Sequence, residues 1–155
     1  GLSCAIGMAL GAKLKDDNAT IYAIIGDGES QEGQIWEAAF FASHKKVDNL
    51  IVFLDYNKMQ LDGTLEEVND SCNMYDIFKS FGFDTYSIDG HNIDEIIATI
   101  EKAKTVKGMP HMIVLNTIKG KGVSFAEAAK ANSHSMPVSK EALEEAIKEL
   151  EYIRD

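Results

Sequence analysis

The sequence has little cysteine, no long apolar run and a shortage of positive charge, and each absence excludes something. Its two cysteines, Cys4 and Cys72, form no metal-binding or redox pattern. Cys4 falls in an apolar helical stretch and is expected to be a reduced core residue. No apolar run is long enough to cross a bilayer as a helix, and no signal-peptide pattern opens the chain. A cytoplasmic location without a membrane partner is therefore expected. Lys and Arg number 15 against 25 Asp and Glu, a net charge of −10. A nucleic-acid partner is not expected, because a phosphate backbone needs a basic face. The acids are spread along the chain and thicken between Glu141 and Glu151, which suits a solvated helix face. Internal repeats and low-complexity linkers are missing too.

What remains is a chain of 155 residues, 45% apolar and 26% charged, the size and balance of one globular domain with a real core. Leu2, Ile6, Ala9 and Leu10 share one face of an opening helix, and Asp16-Asp17-Asn18 ends it. Thr20 to Ile25 is apolar throughout, as expected of a central parallel strand buried on both faces. Gln34 to Lys45 reads as a helix containing Ile35, Trp36, Ala39, Phe40 and Ala42. Leu50 to Leu54 is the next buried strand, so the two strands and their helix form one right-handed crossover. Lys58 to Gly63 reads as a loop. A short helix around Tyr75 to Phe81 follows, with Gly82 placed to end it. Asp84 to Ile88 and Met112 to Leu115 are further strands. Between them, Asp94 to Lys104 is an amphipathic helix with Ile93, Ile96, Ile97 and Ile100 inward. Lys119 to Gly122 is a flexible turn, and Ser139 caps a last helix through Tyr152. The alternation predicts a doubly wound α/β domain with a mostly parallel, Rossmann-like sheet.

The chemistry gathers where the first two strands end. The first runs into Gly26-Asp27-Gly28. The second runs into Asp55-Tyr56-Asn57, which puts Asn57 30 positions after Asp27. An acid and an amide thus reach the same sheet edge, the edge where open α/β sheets bind ligands. The Asp27 carboxylate and the Asn57 carbonyl are hard oxygen donors suited to magnesium or calcium. The glycines are expected to let a pyrophosphate approach the backbone and to leave amides free for it. Taken alone, Asp27 would also suit a helix N-cap.

The block GDGESQEGQIWEAAFFASHKKVDNLIVFLDYNKMQLDG resembles the thiamine diphosphate signature of transketolases. The opening GLSCAIGMALGAKL resembles the helix that follows the family's Gly-Gln-Gly turn. The resemblance runs from Gly1 to about Ile118 and more loosely beyond. It implies a thiamine diphosphate-binding domain over residues 1–155 that lacks an N-terminal part carrying two phosphate-binding histidines. It also implies a role for each matching residue. Asp27, Asn57 and the Met59 carbonyl would hold the metal, magnesium with calcium as the alternative, while Gly26 and Gly28 would contact the diphosphate. Leu61 would support the cofactor rings. Glu32, one turn into the following helix, would meet the partner subunit near the glutamate that activates the pyrimidine. His134, in a loop over 119–138, would reach the diphosphate and the reacting end of the substrate. The family's His-Gly is His134-Ser135 here. His44, His91 and His111 read as structural or exposed, with His91 shaping a turn after Asp89-Gly90.

The activity implied is transfer of a two-carbon ketol unit from a ketose phosphate to an aldose phosphate. A C-terminal transketolase subunit would supply the pyrimidine-binding domain, in a heterotetramer. Two alternatives share Gly-Asp-Gly with a later Asn: the α subunit of a 2-oxo-acid dehydrogenase and a deoxyxylulose-phosphate synthase. A third reading is a non-catalytic subunit fragment that only binds a partner.

Overall fold

Four parallel strands carry the domain: β1 (Ile21–Gly26), β2 (Leu50–Tyr56), β5 (Asp84–Asp89) and β6 (His111–Asn116). They lie in the order β1-β2-β6-β5, all in parallel register. The computed structural model describes residues 1–69 and 73–154, so Cys72 lies outside the described residues. Helix α1 (Leu2–Leu14) precedes β1, and α2 (Gly33–His44) joins β1 to β2 after a single 3-10 turn at Glu29–Gln31. Helix α4 (Met74–Ser80) leads into β5, and α5 (Ile93–Thr105) joins β5 to β6. Among the described residues no helix is long and apolar enough to cross a membrane.

Alternation along the strands decides which helix covers which face. Leu50, Val52 and Leu54 of β2 point to one side, where they pack with Leu2, Ile6 and Ala9 of α1, Ile35 and Ala39 of α2, and Phe78 of α4. Ile51 points to the other side and packs with Ile88, Ala103 and Ile113 beneath α5. Helices therefore cover both faces of a parallel sheet, as the alternation of elements predicts.

Three packing expectations are corrected. Strand β1 lies at an edge of the described sheet, and its outward side is open: Ile24 is 74% exposed and Tyr22 stacks on Phe53. On α5, Ile93 and Ile97 are exposed, while Ile96, Thr99, Ile100 and Ala103 face inward. Cys4 is exposed, since α1 buries positions 2, 5, 6 and 9. On α2, Phe40 is exposed while Ile35, Ala38, Ala39 and Ala42 are buried.

Two segments expected as loops have structure. Met59–Gln60 (β3) and Gly63–Thr64 (β4) pair as a small antiparallel ribbon. Thr64 then caps α3 (Leu65–Val68) in a capping box: its hydroxyl accepts from the Glu67 amide at 3.2 Å, and the Glu67 carboxylate accepts from the Thr64 amide at 3.0 Å. The 119–138 stretch contains α6 (Ser124–Ala129) and a 3-10 turn at Lys130–Ser135. Helix α7 (Lys140–Arg154) follows, with the Ser139 hydroxyl accepting from the Ala142 amide at 3.1 Å as expected.

At the amino ends of the strands most of the polar groups are bonded within the protein, and only Asn49 Oδ1 is buried there without a partner among the described residues. Lys13 and Asp48 form an ion pair at 2.5 Å, and the Gly108 amide donates to the second Asp48 oxygen at 2.8 Å. His111 is fully buried, with Nδ1 3.1 Å from Asp84 and Nε2 3.2 Å from the Asp48 carbonyl. The Tyr86 hydroxyl donates to Asp84 at 2.6 Å.

Candidate functional site at the carboxyl ends of β1 and β2

The parallel register of β1 and β2 pairs Gly26 with Asp55, so Asp27 and Asn57 emerge side by side at the carboxyl edge. Asp27 is 2% exposed. Its Oδ1 accepts from the Gly28 amide at 2.8 Å, while its buried Oδ2 has no partner among the described residues. Burial pushes the Asp27 carboxyl above the ordinary carboxylate range, and the Asp55 charge adds to this; the amides of Gly28, Lys58 and Met59 pull the other way without reversing it. The Lys58 and Met59 amides make no hydrogen bond of standard geometry to Oδ2. A buried, orphaned carboxylate oxygen is costly to keep, by roughly 1–3 kcal/mol. Such a group in a native fold calls for a partner, an ordered water or a bound ion.

Asn57 stands beside it with its side chain fixed at both ends. Its Nδ2 donates to Asp55 Oδ2 at 3.1 Å, and its Oδ1 accepts from the Met59 amide at 3.0 Å. Lys58, between them, has φ 62°, an uncommon backbone for a residue with a side chain. That turn folds the chain back so that Met59 enters the ribbon next to the two donors.

Gly26 and Gly28 depart from expectation in one respect. Their amides are engaged, Gly26 with Glu29 Oε2 at 3.3 Å and Gly28 with Asp27. A diphosphate reaching them would have to displace those carboxylates. Gly28 has φ −64°, so its glycine is not demanded by the backbone. It is demanded by a close approach: a Cβ there would lie 3.0 Å from the Gln60 side chain. A Cβ on Gly26 would meet nothing within 4 Å, which leaves open space above the turn.

The remaining expected residues are more dispersed. Glu32 is the N-cap residue of α2 rather than a residue one turn inside it, and it is exposed. Leu61 is exposed at the tip of the ribbon. His134 is exposed on the 3-10 turn that packs against β3 and β4, so it belongs to the loop cluster that holds Met59. His91 accepts from the Ile118 amide at 2.8 Å and shapes its turn, as expected.

Among the described residues no three His, Cys, Asp or Glu side chains cluster as a metal site. The donor set is one carboxylate, one amide oxygen and one main-chain carbonyl. That set fits magnesium, which binds through one or two carboxylates and takes its other ligands from phosphate and water. Sequence reading missed three participants: Glu29, Asp55 and Thr117, whose hydroxyl donates to Asp55 Oδ1. Asp55 lies inside the motif and was available to it. Thr117 follows β6, and only the sheet order brings it near.

Comparison with known proteins accords with this geometry. Residues 1–153 match the family model for the transketolase thiamine diphosphate binding domain, and the chain belongs to that family. It is 53% identical to the 6-deoxy-6-sulfo-D-fructose transketolase subunit of Clostridium sp. (strain MSTE9), covering 97% of this chain and 54% of that protein. It is 38% identical to an apulose-4-phosphate transketolase subunit of Phocaeicola vulgatus, covering 97% and 53%. The chain thus spans about half the length of these relatives. The crystal structure of Campylobacter jejuni transketolase superposes with a TM-score of 0.88 at 29% identity, covering 97% of this chain and 24% of that one.

Proposed function

We propose that this chain is the diphosphate- and magnesium-binding part of a transketolase that works with a partner subunit. The observation that carries the reading is the orphaned, buried Asp27 oxygen beside the fixed Asn57 amide, at adjacent strand ends of a transketolase-family domain. Bound thiamine diphosphate would supply the carbanion chemistry that breaks and makes a ketose carbon–carbon bond.

The chain's own residues would bind and orient. Asp27, the Asn57 amide oxygen and the Met59 carbonyl would hold magnesium, which in turn anchors the diphosphate. Gly26 and Gly28 give the diphosphate its approach. Leu61 would support the rings, and Glu32 would face the partner. His134 would hold and move a proton at a hydroxyl of the sugar's reacting end. The partner would bring the pyrimidine site and its activating glutamate, in a heterotetramer.

The transferred unit would be a two-carbon ketol group passed to an aldose phosphate. Two relatives are named for ketoses with an anionic substituent, a sulfonate and a phosphate. The donor is accordingly a ketose ending in one of these, and the 53% relative favours the 6-sulfonate. The family match favours this reading over the 2-oxo-acid dehydrogenase and deoxyxylulose-phosphate synthase alternatives.

The test is calorimetric titration of thiamine diphosphate, with and without magnesium, into the full-length subunit mixed with its partner. Ketol transfer is then assayed from 6-deoxy-6-sulfofructose and from fructose 6-phosphate. Magnesium-dependent binding with turnover of either donor supports the proposal. Binding indifferent to magnesium, or absent from the complex, leaves the non-catalytic reading in its place.

A further inference from the structure

Across the carboxyl edge, the sheet order sets four strand ends in a row: β1 with Asp27, β2 with Asp55 and Asn57, β6 with Thr117, and β5 with Gly90. The side chains from Thr117 to Asn57 form one connected line. Thr117 donates its hydroxyl to Asp55 Oδ1, and Asp55 Oδ2 accepts from Asn57 Nδ2 at 3.1 Å. Behind Thr117 there is no slack. A Cβ on Gly90 would run into the Thr117 methyl and come within 2.9 Å of Leu115 Cβ.

We propose that Asp55, braced by Thr117, is a positioning residue that fixes which way the Asn57 amide faces. The inference rests on the proposed role of Asn57 as a magnesium ligand.

The chemistry admits one orientation. A primary amide has a donor end and an acceptor end of nearly the same shape, and only its neighbours decide which is which. Asp55, as a carboxylate, accepts only, and the Met59 amide donates only. The NH2 is therefore held toward Asp55, and the carbonyl oxygen is held on the side of Met59, where its second lone pair can meet a cation. A flipped amide would present an N–H to a cation and an oxygen to a carboxylate, unfavourable at both ends. Asp55 spends one oxygen on Asn57 and the other on Thr117, so both are already turned toward protein groups. Asp27 keeps one oxygen without a partner among the described residues. Two aspartates at neighbouring strand ends thus do different work: one meets the metal, and the other aims the amide that meets it. Outer partners of metal ligands commonly act in this way.

The experiment is a mutant cycle read as the apparent magnesium affinity, at fixed thiamine diphosphate, of the full-length subunit with its partner. Asp55→Asn can donate where it formerly accepted, so it removes the directional cue while keeping the shape. It should weaken magnesium binding by about 10–100-fold, the usual cost of losing an outer partner of a ligand. Thr117→Val should weaken it by a smaller factor, and Thr117→Ser, which keeps the hydroxyl, should restore it. In an Asn57→Ala background, Asp55→Asn should change magnesium affinity no further, since the residue it aims is gone. A general structural role would instead give an equal loss in both backgrounds, and that outcome overturns the inference alone. An unchanged magnesium affinity in Asp55→Asn overturns it too. A wild-type complex that binds thiamine diphosphate without regard to magnesium removes the ligand role of Asn57, and the proposed function falls together with the inference.

Discussion

The two edges of one sheet treat their carboxylates differently, although the amino edge also holds one buried amide oxygen, Asn49 Oδ1, without a partner among the described residues. At the amino edge, both Asp48 oxygens are bonded, His111 is held on both ring nitrogens, and Asp84 serves His111 and Tyr86 together. At the carboxyl edge, Asp27 is as deeply buried as many core residues and yet keeps one oxygen without a partner. Saturated polar groups stabilise a fold, whereas an orphaned one costs free energy until something binds it. The difference separates what this chain uses to stay folded from what it offers a ligand.

The largest break in that contrast is Asp27→Asn. It should lower magnesium-dependent thiamine diphosphate affinity by about 1,000-fold, more than the 10–100-fold cost of losing an outer partner. The same change removes a buried charge of which only one oxygen is bonded. The metal-free subunit should therefore gain stability, by about 1 kcal/mol in urea unfolding. Loss of both affinity and stability would show that Asp27 is a structural residue like those at the other edge. At the amino edge, His111→Ala should do the reverse. It empties a buried site and takes one partner each from Asp84 and the Asp48 carbonyl, costing about 3 kcal/mol of stability. Thiamine diphosphate affinity should stay within about twofold, since the change is remote from the site.

Two glycines sharpen the comparison with smaller effects. Gly82 precedes β5 at the amino edge with φ 87°, and a Cβ there would lie 2.5 Å from Ser43 Oγ. Gly82→Ala should cost about 1–2 kcal/mol of stability with cofactor affinity unchanged. Gly28 has an ordinary φ, so Gly28→Ala costs little in the backbone. Its methyl would instead press on Gln60 and shift the ribbon that carries Met59. We expect unfolding within about 0.5 kcal/mol of wild type, as is usual outside special sites, and a measurable loss of thiamine diphosphate affinity in calorimetry.

Much of this was legible in the sequence, and the exceptions share a cause. The strands, the alternation that makes them parallel, and the arrival of Asp27 and Asn57 at one edge all follow from local patterns. Gly82 ending α4 and Ser139 capping α7 do as well. What failed depends on what lies beside an element. Ile24 and Ile97 are apolar, but nothing in the described structure covers them. Cys4 missed the core by one helical position. The engagement of the glycine amides needed Glu29 to turn back onto Gly26. The capping box at Thr64 and Glu67 was there to be read, and it marks a helix just beyond the loop expected over Lys58 to Gly63. Thr117 meets Asp55 only because β6 slots between β2 and β5, an order that no local pattern states.

The smallest effect, and the one that tests both edges in a single titration, is the response to acid. Burial raises the Asp48 carboxyl, but the hydrogen bonds from Lys13 and the Gly108 amide, with the nearby lysine charges, outweigh it and hold the group below its ordinary value. A depressed carboxylate contributes stability that is present above its unfolded pKa and lost as the pH falls through the folded one. Asp27 is shifted the other way, by burial first. The folded chain takes up the Asp27 proton more readily than the unfolded chain, so its penalty is present at neutral pH and relieved as the pH falls through the raised value. On acidification from pH 6 to about pH 3, the two edges therefore oppose each other. In the metal-free subunit, Asp27→Asn removes the relief, and its stability should fall more steeply with acid than that of the wild type. Asp48→Asn removes the loss, and its stability should fall less steeply. Because Asp48 is partly exposed, its difference should stay below about 1 kcal/mol. Urea midpoints at several pH values measure both slopes. If the two variants tilt the same way, the edges do not differ in the manner the bonding pattern implies.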